Sequence, residues 1–84
     1  MNRQAVYDSL NKARTIVKLG KVYRHYKGGL YRVVDIVLCE KTLEPMVVYQ
    51  DIINMNLTWV RNFDDFRINV SDNGDTVPRF SLID

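Results

Sequence analysis

The chain has 84 residues, 46% of them hydrophobic and 26% charged, with a net charge of +2. A chain this size buries only about 60–65% of its unfolded surface, so one small domain with a thin core is expected, and the hydrophobic content excludes a disordered chain. The lone Cys39 excludes an internal disulfide, and no apolar run approaches the ~18 residues of a spanning helix. The start lacks a charged-then-apolar signal pattern, so a soluble, cytoplasmic protein without membrane contact is expected.

The charge is unevenly spread. Residues 1–32 carry Arg3, Lys12, Arg14, Lys18, Lys21, Arg24, Lys27 and Arg32 against the single acid Asp8. The rest of the chain reverses the balance, with Lys41, Arg61, Arg67 and Arg79 set against nine acids. Such asymmetry can mark a surface for an anionic partner. The simpler alternative is solvated faces that segregate along the chain and interleave in space.

Taken in order, the chain begins with a helix. Asn2 suits an N-cap, and from Arg3 to Lys18 the residues Val6, Leu10, Ala13 and Val17 recur at helical spacing to make one apolar stripe. Arg14 and Lys18 complement the dipole near the end, and Gly20 is placed to terminate the helix in a left-handed cap. This is the only long helix the pattern supports. Its stripe can pack on the rest of the chain or on a second copy, which leaves a homodimer open.

Next come two arms, Lys21–Tyr26 and Leu30–Leu38, flanking Gly28-Gly29. Two glycines between apolar runs predict a hairpin closed by a type I′ turn, in which both central residues need φ > 0. In the second arm strict alternation places Tyr31, Val33 and Val37 on one face and Leu30, Val34, Ile36 and Leu38 on the other. Apolar residues on both faces predict a central strand. A polar connection, Glu40–Pro45, leads to a third strand over Met46–Ile53. A turn at Asn54-Met55-Asn56 precedes a fourth strand, Leu57–Arg61. Phe63 and Phe66, three apart, fit one helical turn with both rings inward. A fifth strand over Arg67–Val70, a turn at Asp72-Asn73-Gly74-Asp75, strand character at Thr76 and Val77, and a short tail complete the chain.

The fold class read from this order is mainly β with one N-terminal helix. One domain is expected over residues 1–84, with the helix in 1–19 and a small five-stranded SH3-like barrel in 20–80. The barrel rests on analogy, because a helical turn between the fourth and fifth strands is a feature of that fold.

The block Tyr23-Arg24-His25-Tyr26-Lys27-Gly28-Gly29-Leu30-Tyr31-Arg32-Val33 resembles a small bacterial and phage family named only as domain of unknown function 1653. The likeness continues at Thr42–Gln50, at Trp59-Val60-Arg61, at Phe66 and at Val77-Pro78-Arg79-Phe80. Separated blocks in the right order make it specific over roughly residues 20–80. The chain departs from the family pattern in three places. Cys39 stands where a histidine is usual, Asn62 where a proline commonly follows the tryptophan block, and Asn54-Met55-Asn56 lacks the usual glycines. The N-terminal helix lies outside the usual domain. The resemblance implies a compact barrel-like β domain and brings no established activity.

Few residues carry chemistry. His25 and Cys39 offer two candidate ligands where structural zinc takes four, so neither a metal nor a cofactor is expected. Cys39 as a nucleophile would need His25 as its base, and a small buried side chain at a strand end is the simpler reading. Asp64-Asp65 reads as solvated acids starting a helical turn, and an enzyme is not expected. The one constellation with functional promise is aromatic and cationic: Tyr23, Arg24, His25, Lys27, Tyr31, Arg32, Tyr49, Trp59 and Arg61. Small β domains stack unpaired bases on such rings while cations meet phosphates, which makes RNA or single-stranded DNA the first expected partner. The same composition suits a peptide groove, so a protein-interaction or accessory module using the helix stripe or the groove is the alternative. Against both stands the possibility that the rings are the core of a domain too small for an aliphatic one.

Overall fold

The structure, a computed structural model, describes residues 2–83. The N-terminal helix, α1, runs over Arg3–Ile16, and the Asn2 side chain accepts from the backbone N–H groups of Gln4 (3.0 Å) and Ala5 (3.3 Å) as expected of its cap. The helix stops two residues short of the predicted Lys18. Thr15, Ile16 and Val17 form a β-branched run that favours extended backbone. Val17 takes that conformation (φ −98°, ψ 122°), and the Lys18 N–H is met by the Tyr23 hydroxyl at 2.9 Å. Gly20, at φ 79°, is therefore not a helix cap. Its N–H donates to the Val33 carbonyl at 2.8 Å and starts the strand pairing instead.

Seven strands follow: β1 (Val22–His25), β2 (Leu30–Leu38), β3 (Pro45–Asp51), β4 (Thr58–Asn62), β5 (Asn69–Asp72), β6 (Asp75–Pro78) and β7 (Phe80–Leu82), with a short helix, α2 (Phe63–Arg67), after β4. Five of them form one antiparallel sheet in the order β4-β3-β2-β1-β7, while β5 and β6 make a separate hairpin. The fold is thus mainly β with one long helix at the N-terminus. The sheet is open and not the closed SH3-like barrel expected, because β4 and β7 end as unpaired edges. Its fifth strand is β7, in the stretch read from sequence as a tail, because β5 takes the adjacent β6 as its only partner.

Two details of the β1–β2 hairpin also differ from expectation. The turn is not type I′, for only Gly28 has positive φ (107°). His25 pairs with Gly29 (N to O, 2.8 Å) and the Gly28 N–H donates to the His25 carbonyl at 2.7 Å, so the loop is Tyr26-Lys27-Gly28, a three-residue turn with its glycine last. The type I′ requirement is met instead at the β5–β6 turn, where Asn73 (φ 52°) and Gly74 (φ 86°) join Asp72 to Asp75. The second detail is a β-bulge. Val33 pairs with Tyr49 but Asp35 pairs with Val48, so Val34 is an extra residue and the alternation of β2 shifts by one. Val33 and Ile36 consequently share the buried face, where simple alternation had separated them.

That face holds the core. Val33, Ile36, Val47 and Tyr49 of the sheet pack with Ala13 of α1, with Val17 just past its end and with Phe63 and Phe66 of α2, both rings inward as predicted. The α1 stripe is therefore bound to the sheet at Ala13 and Val17, with Leu10 partly buried beside them and Val6 half-exposed. Arg14 fixes the crossing by donating to the Ile36 carbonyl at 3.1 Å. Phe66 stacks on Phe80 of β7 with centroids 4.0 Å apart and planes 6° from parallel, while Tyr23 meets Phe66 edge-on at 5.5 Å. Burying one such ring stabilises the fold by about 1.5–3 kcal/mol, and each ring pair adds about 0.5–1.5 kcal/mol. No helix of the described residues is long and apolar enough to cross a membrane.

Candidate functional site

The helices cover only part of the inner face. At the end of the sheet nearest the β1–β2 turn lies a cleft of about 360 Å³, lined by His25, Lys27, Gly29, Tyr31, Tyr49, Trp59, Arg61 and Phe80. Pairing explains why these residues meet. Tyr49 lies opposite Trp59, Val47 opposite Arg61 and His25 opposite Phe80, and residues directly opposite share a face. Six of the nine residues singled out from sequence come together here.

The other three do not. Tyr23 is buried at 6% exposure, its ring against Phe66 and its hydroxyl taken by Lys18 N–H, and it serves the core. Arg24 and Arg32 lie on the opposite face of the sheet, since Arg24 pairs with Leu30 and Arg32 with Val22, out of step with Tyr23 and Tyr31. Arg32 donates to the Gly20 carbonyl at 2.6 Å. The basic N-terminal section is thus dispersed over both faces and α1.

The floor of the cleft is aromatic. Tyr31 meets Tyr49 edge-on at 5.3 Å and Phe80 at 6.0 Å, and Tyr49 meets Phe80 at 5.3 Å. Trp59 is different: it is 48% exposed and sits on the edge strand, so much of its surface is open to solvent. Gly29 is required by closeness. A Cβ there would lie 2.8 Å from both Cε2 and the hydroxyl of Tyr31.

The polar groups of the cleft are cationic or neutral, and among the described residues no carboxylate lines it. His25 packs between Tyr26 (4.7 Å) and Phe80 (4.9 Å). Its Nδ1 accepts from the Lys27 backbone N–H at 3.2 Å, so the neutral ring carries its proton on Nε2. Partial burial lowers the His25 pKa below its ordinary value, and the positive charges of Arg61, Lys27 and Arg79 lower it further. Arg61 is half-buried, and its Nε is buried without a hydrogen-bond partner among the described residues. A buried donor left unmet costs about 1–3 kcal/mol, more when charged.

Phe80 and Gly29 are lining residues that sequence reasoning did not include. Phe80 belongs to the resemblance block Val77-Pro78-Arg79-Phe80 but was given no role in the site, and Gly29 was assigned a turn role that hid its contact with Tyr31. Cys39 sits elsewhere, half-buried past the far end of β2, roughly 25 Å along the strand from the turn at about 3.3 Å per residue. His25 cannot act as its base. Hydrogen bonds from Thr42, by side chain and backbone, lower the Cys39 pKa. Among the described residues no group of three or more His, Cys, Asp and Glu comes together to hold a metal. A second crevice, of about 270 Å³, lies between α1 and β2 and is lined by Arg3, Val6, Tyr7, Leu38 and Leu43.

Comparison with known proteins places this geometry. Residues 21–82 match the model of a family described as protein of unknown function, DUF1653, and α1 precedes the matched region. A crystal structure of a DUF1653 protein from Bordetella bronchiseptica superposes with a TM-score of 0.68 at 27% sequence identity, covering 76% of this chain and 85% of that one. No curated protein matches the chain.

Proposed function

We propose that this chain, which belongs to the DUF1653 family, is a binding module that holds single-stranded nucleic acid, RNA or DNA, in the cleft beside the β1–β2 turn. One observation carries the reading: an aromatic floor and an exposed tryptophan are combined with Lys27 and Arg61, and among the described residues no acid lines the cleft to satisfy those charges. An unpaired base stacks on a ring whatever its identity, worth about 1–3 kcal/mol per base, while cations meet the phosphates. A peptide groove of the same shape would recognise its ligand largely by apolar contacts and backbone pairing, and uncompensated cations favour an anionic strand over it. The contact set is accordingly His25, Lys27, Tyr31, Tyr49, Trp59 and Arg61, without Tyr23, Arg24 and Arg32.

Trp59 makes the test direct, being the chain's only tryptophan. Titrating mixed-sequence RNA or DNA single strands should quench its fluorescence. Affinity should fall with salt at a log–log slope of no more than about −1.4, the value if Lys27 and Arg61 each meet one phosphate. Trp59→Ala should lose most binding while changing the melting temperature little, because the side chain is half open to solvent. Absence of any shift at low salt with micromolar protein overturns the proposal.

A further inference from the structure

Resting on that reading, we infer that the cleft takes a nucleotide bearing a phosphate monoester, the end of a strand and not its middle, with Arg61 as the phosphate anchor. The number of charges argues for it. Lys27 and Arg61 bring two positive charges to one cleft, and His25 adds a neutral donor at Nε2. An internal phosphodiester carries one negative charge, whereas a monoester carries about −1.5 to −2 near neutral pH and three strong acceptor oxygens. The monoester matches what the cleft supplies.

Arg61 fits the anchoring role by its bonding. Arg61 lines the cleft with its Nε shut away, and the two terminal nitrogens of a guanidinium can pair with two phosphate oxygens in one plane. The surroundings argue the same way. A protein that tracks the middle of a strand extends its cationic groove over several nucleotides. Here the other arginines do not line the cleft: Arg32 lies on the opposite face, Arg14 donates to the Ile36 carbonyl beside α1, and Arg79, whose charge reaches His25, donates to the Asp65 carbonyl at 3.0 Å. Arg24 lies on the opposite face. Among the described residues no further Lys or Arg lines the cleft, and its volume of about 360 Å³ is that of a small site and not of a long groove.

The experiment compares one oligonucleotide in four forms: 5′-phosphorylated, 3′-phosphorylated, with hydroxyl at both ends, and circularised. A nucleoside monophosphate is included as competitor. Terminal phosphate on one end should tighten binding by about tenfold or more over the hydroxyl and circular forms. The favoured end identifies the strand polarity, and effective competition by the monophosphate shows that one nucleotide suffices. Arg61→Lys, which keeps the charge and loses the planar fork, should erase the preference while retaining weak binding. Equal affinity for all four forms overturns the inference and leaves the strand-binding proposal standing. No binding of any form overturns both. The comparison on the unmodified protein decides the matter even if the variant fails to fold.

Discussion

The inner face of the sheet has two halves built from the same kinds of side chain. Toward the start of β1, rings and aliphatics are sealed under α1 and α2, and Val33, Ile36, Val47 and Phe66 are almost wholly buried. Toward the β1–β2 turn, Tyr31, Trp59 and His25 have no helix over them and share their space with two cations. The difference lies in what covers them, not in composition. An aromatic side chain under a helix contributes to stability, whereas the same side chain left half open beside an arginine contributes less to the core and is the surface on which the proposed binding rests. Tyr49 and Phe80 stand at the boundary and touch both halves.

Substitutions should separate the halves, and the largest effect belongs to the sealed one. Phe66→Ala removes a ring that is 1% exposed and stacked on Phe80, and should cost about 3–5 kcal/mol in a denaturant titration. A domain this small would then be mostly unfolded near physiological temperature. A loss like that of Trp59→Ala would erase the distinction drawn between the halves.

The next effect falls on the boundary. Gly29→Val places a side chain into the Tyr31 ring and should cost about 1–3 kcal/mol, with ligand binding weakened as Tyr31 is pushed from the floor. The cause is collision, since Gly29 does not have positive φ. Adding Tyr31→Ala should therefore recover part of the stability lost, a coupling that thermal melts of the single and double variants measure. Additive losses would show that the glycine is needed for its backbone alone.

The smallest effect belongs to the open half. The folded state holds the His25 pKa below that of the unfolded chain, near 6.5, so unfolding takes up a proton. His25 should leave stability undiminished above about pH 6.5 and lower it progressively as pH falls toward the depressed folded pKa. Melting temperatures of wild type and His25→Gln, followed from pH 7.5 to 5, should diverge in that window, the wild type falling faster. Parallel curves would mean that the cations around His25 are too well screened to matter.

Much of this arrangement was legible in the chain. Asn2 as a cap, β2 over Leu30–Leu38 and the short helix that buries Phe63 and Phe66 followed from local pattern, and six of the nine residues picked out by composition line one cleft. What was not legible depends on partners distant in sequence. The bulge at Val34 arises from registry with β3, and no local pattern in Val33-Val34-Asp35-Ile36 announces it. Whether Tyr23 faces core or cleft is decided by where α2 docks. The tail is a strand because β1 offers it an edge, and the sheet stays open because β4 and β7, its two outer strands, do not pair with each other.

The pairing of β1 with β7 has a kinetic consequence. Tyr23, Arg24 and His25 bond to Leu82, Ser81 and Phe80, residues from opposite ends of the chain. Loop closure over such a separation costs entropy before any contact repays it, so this pairing is expected among the late events of folding. Hairpins such as β1–β2 and β5–β6 can form on their own much earlier. Until Phe80 arrives, Phe66 has no ring to stack on, and Tyr31 and Tyr49 lack the neighbour that completes their floor. An emerging chain therefore presents Trp59 and Arg61 well before it has a cleft to put them in. Ligand recognition would switch on in a single late step, when the last strand closes over the first.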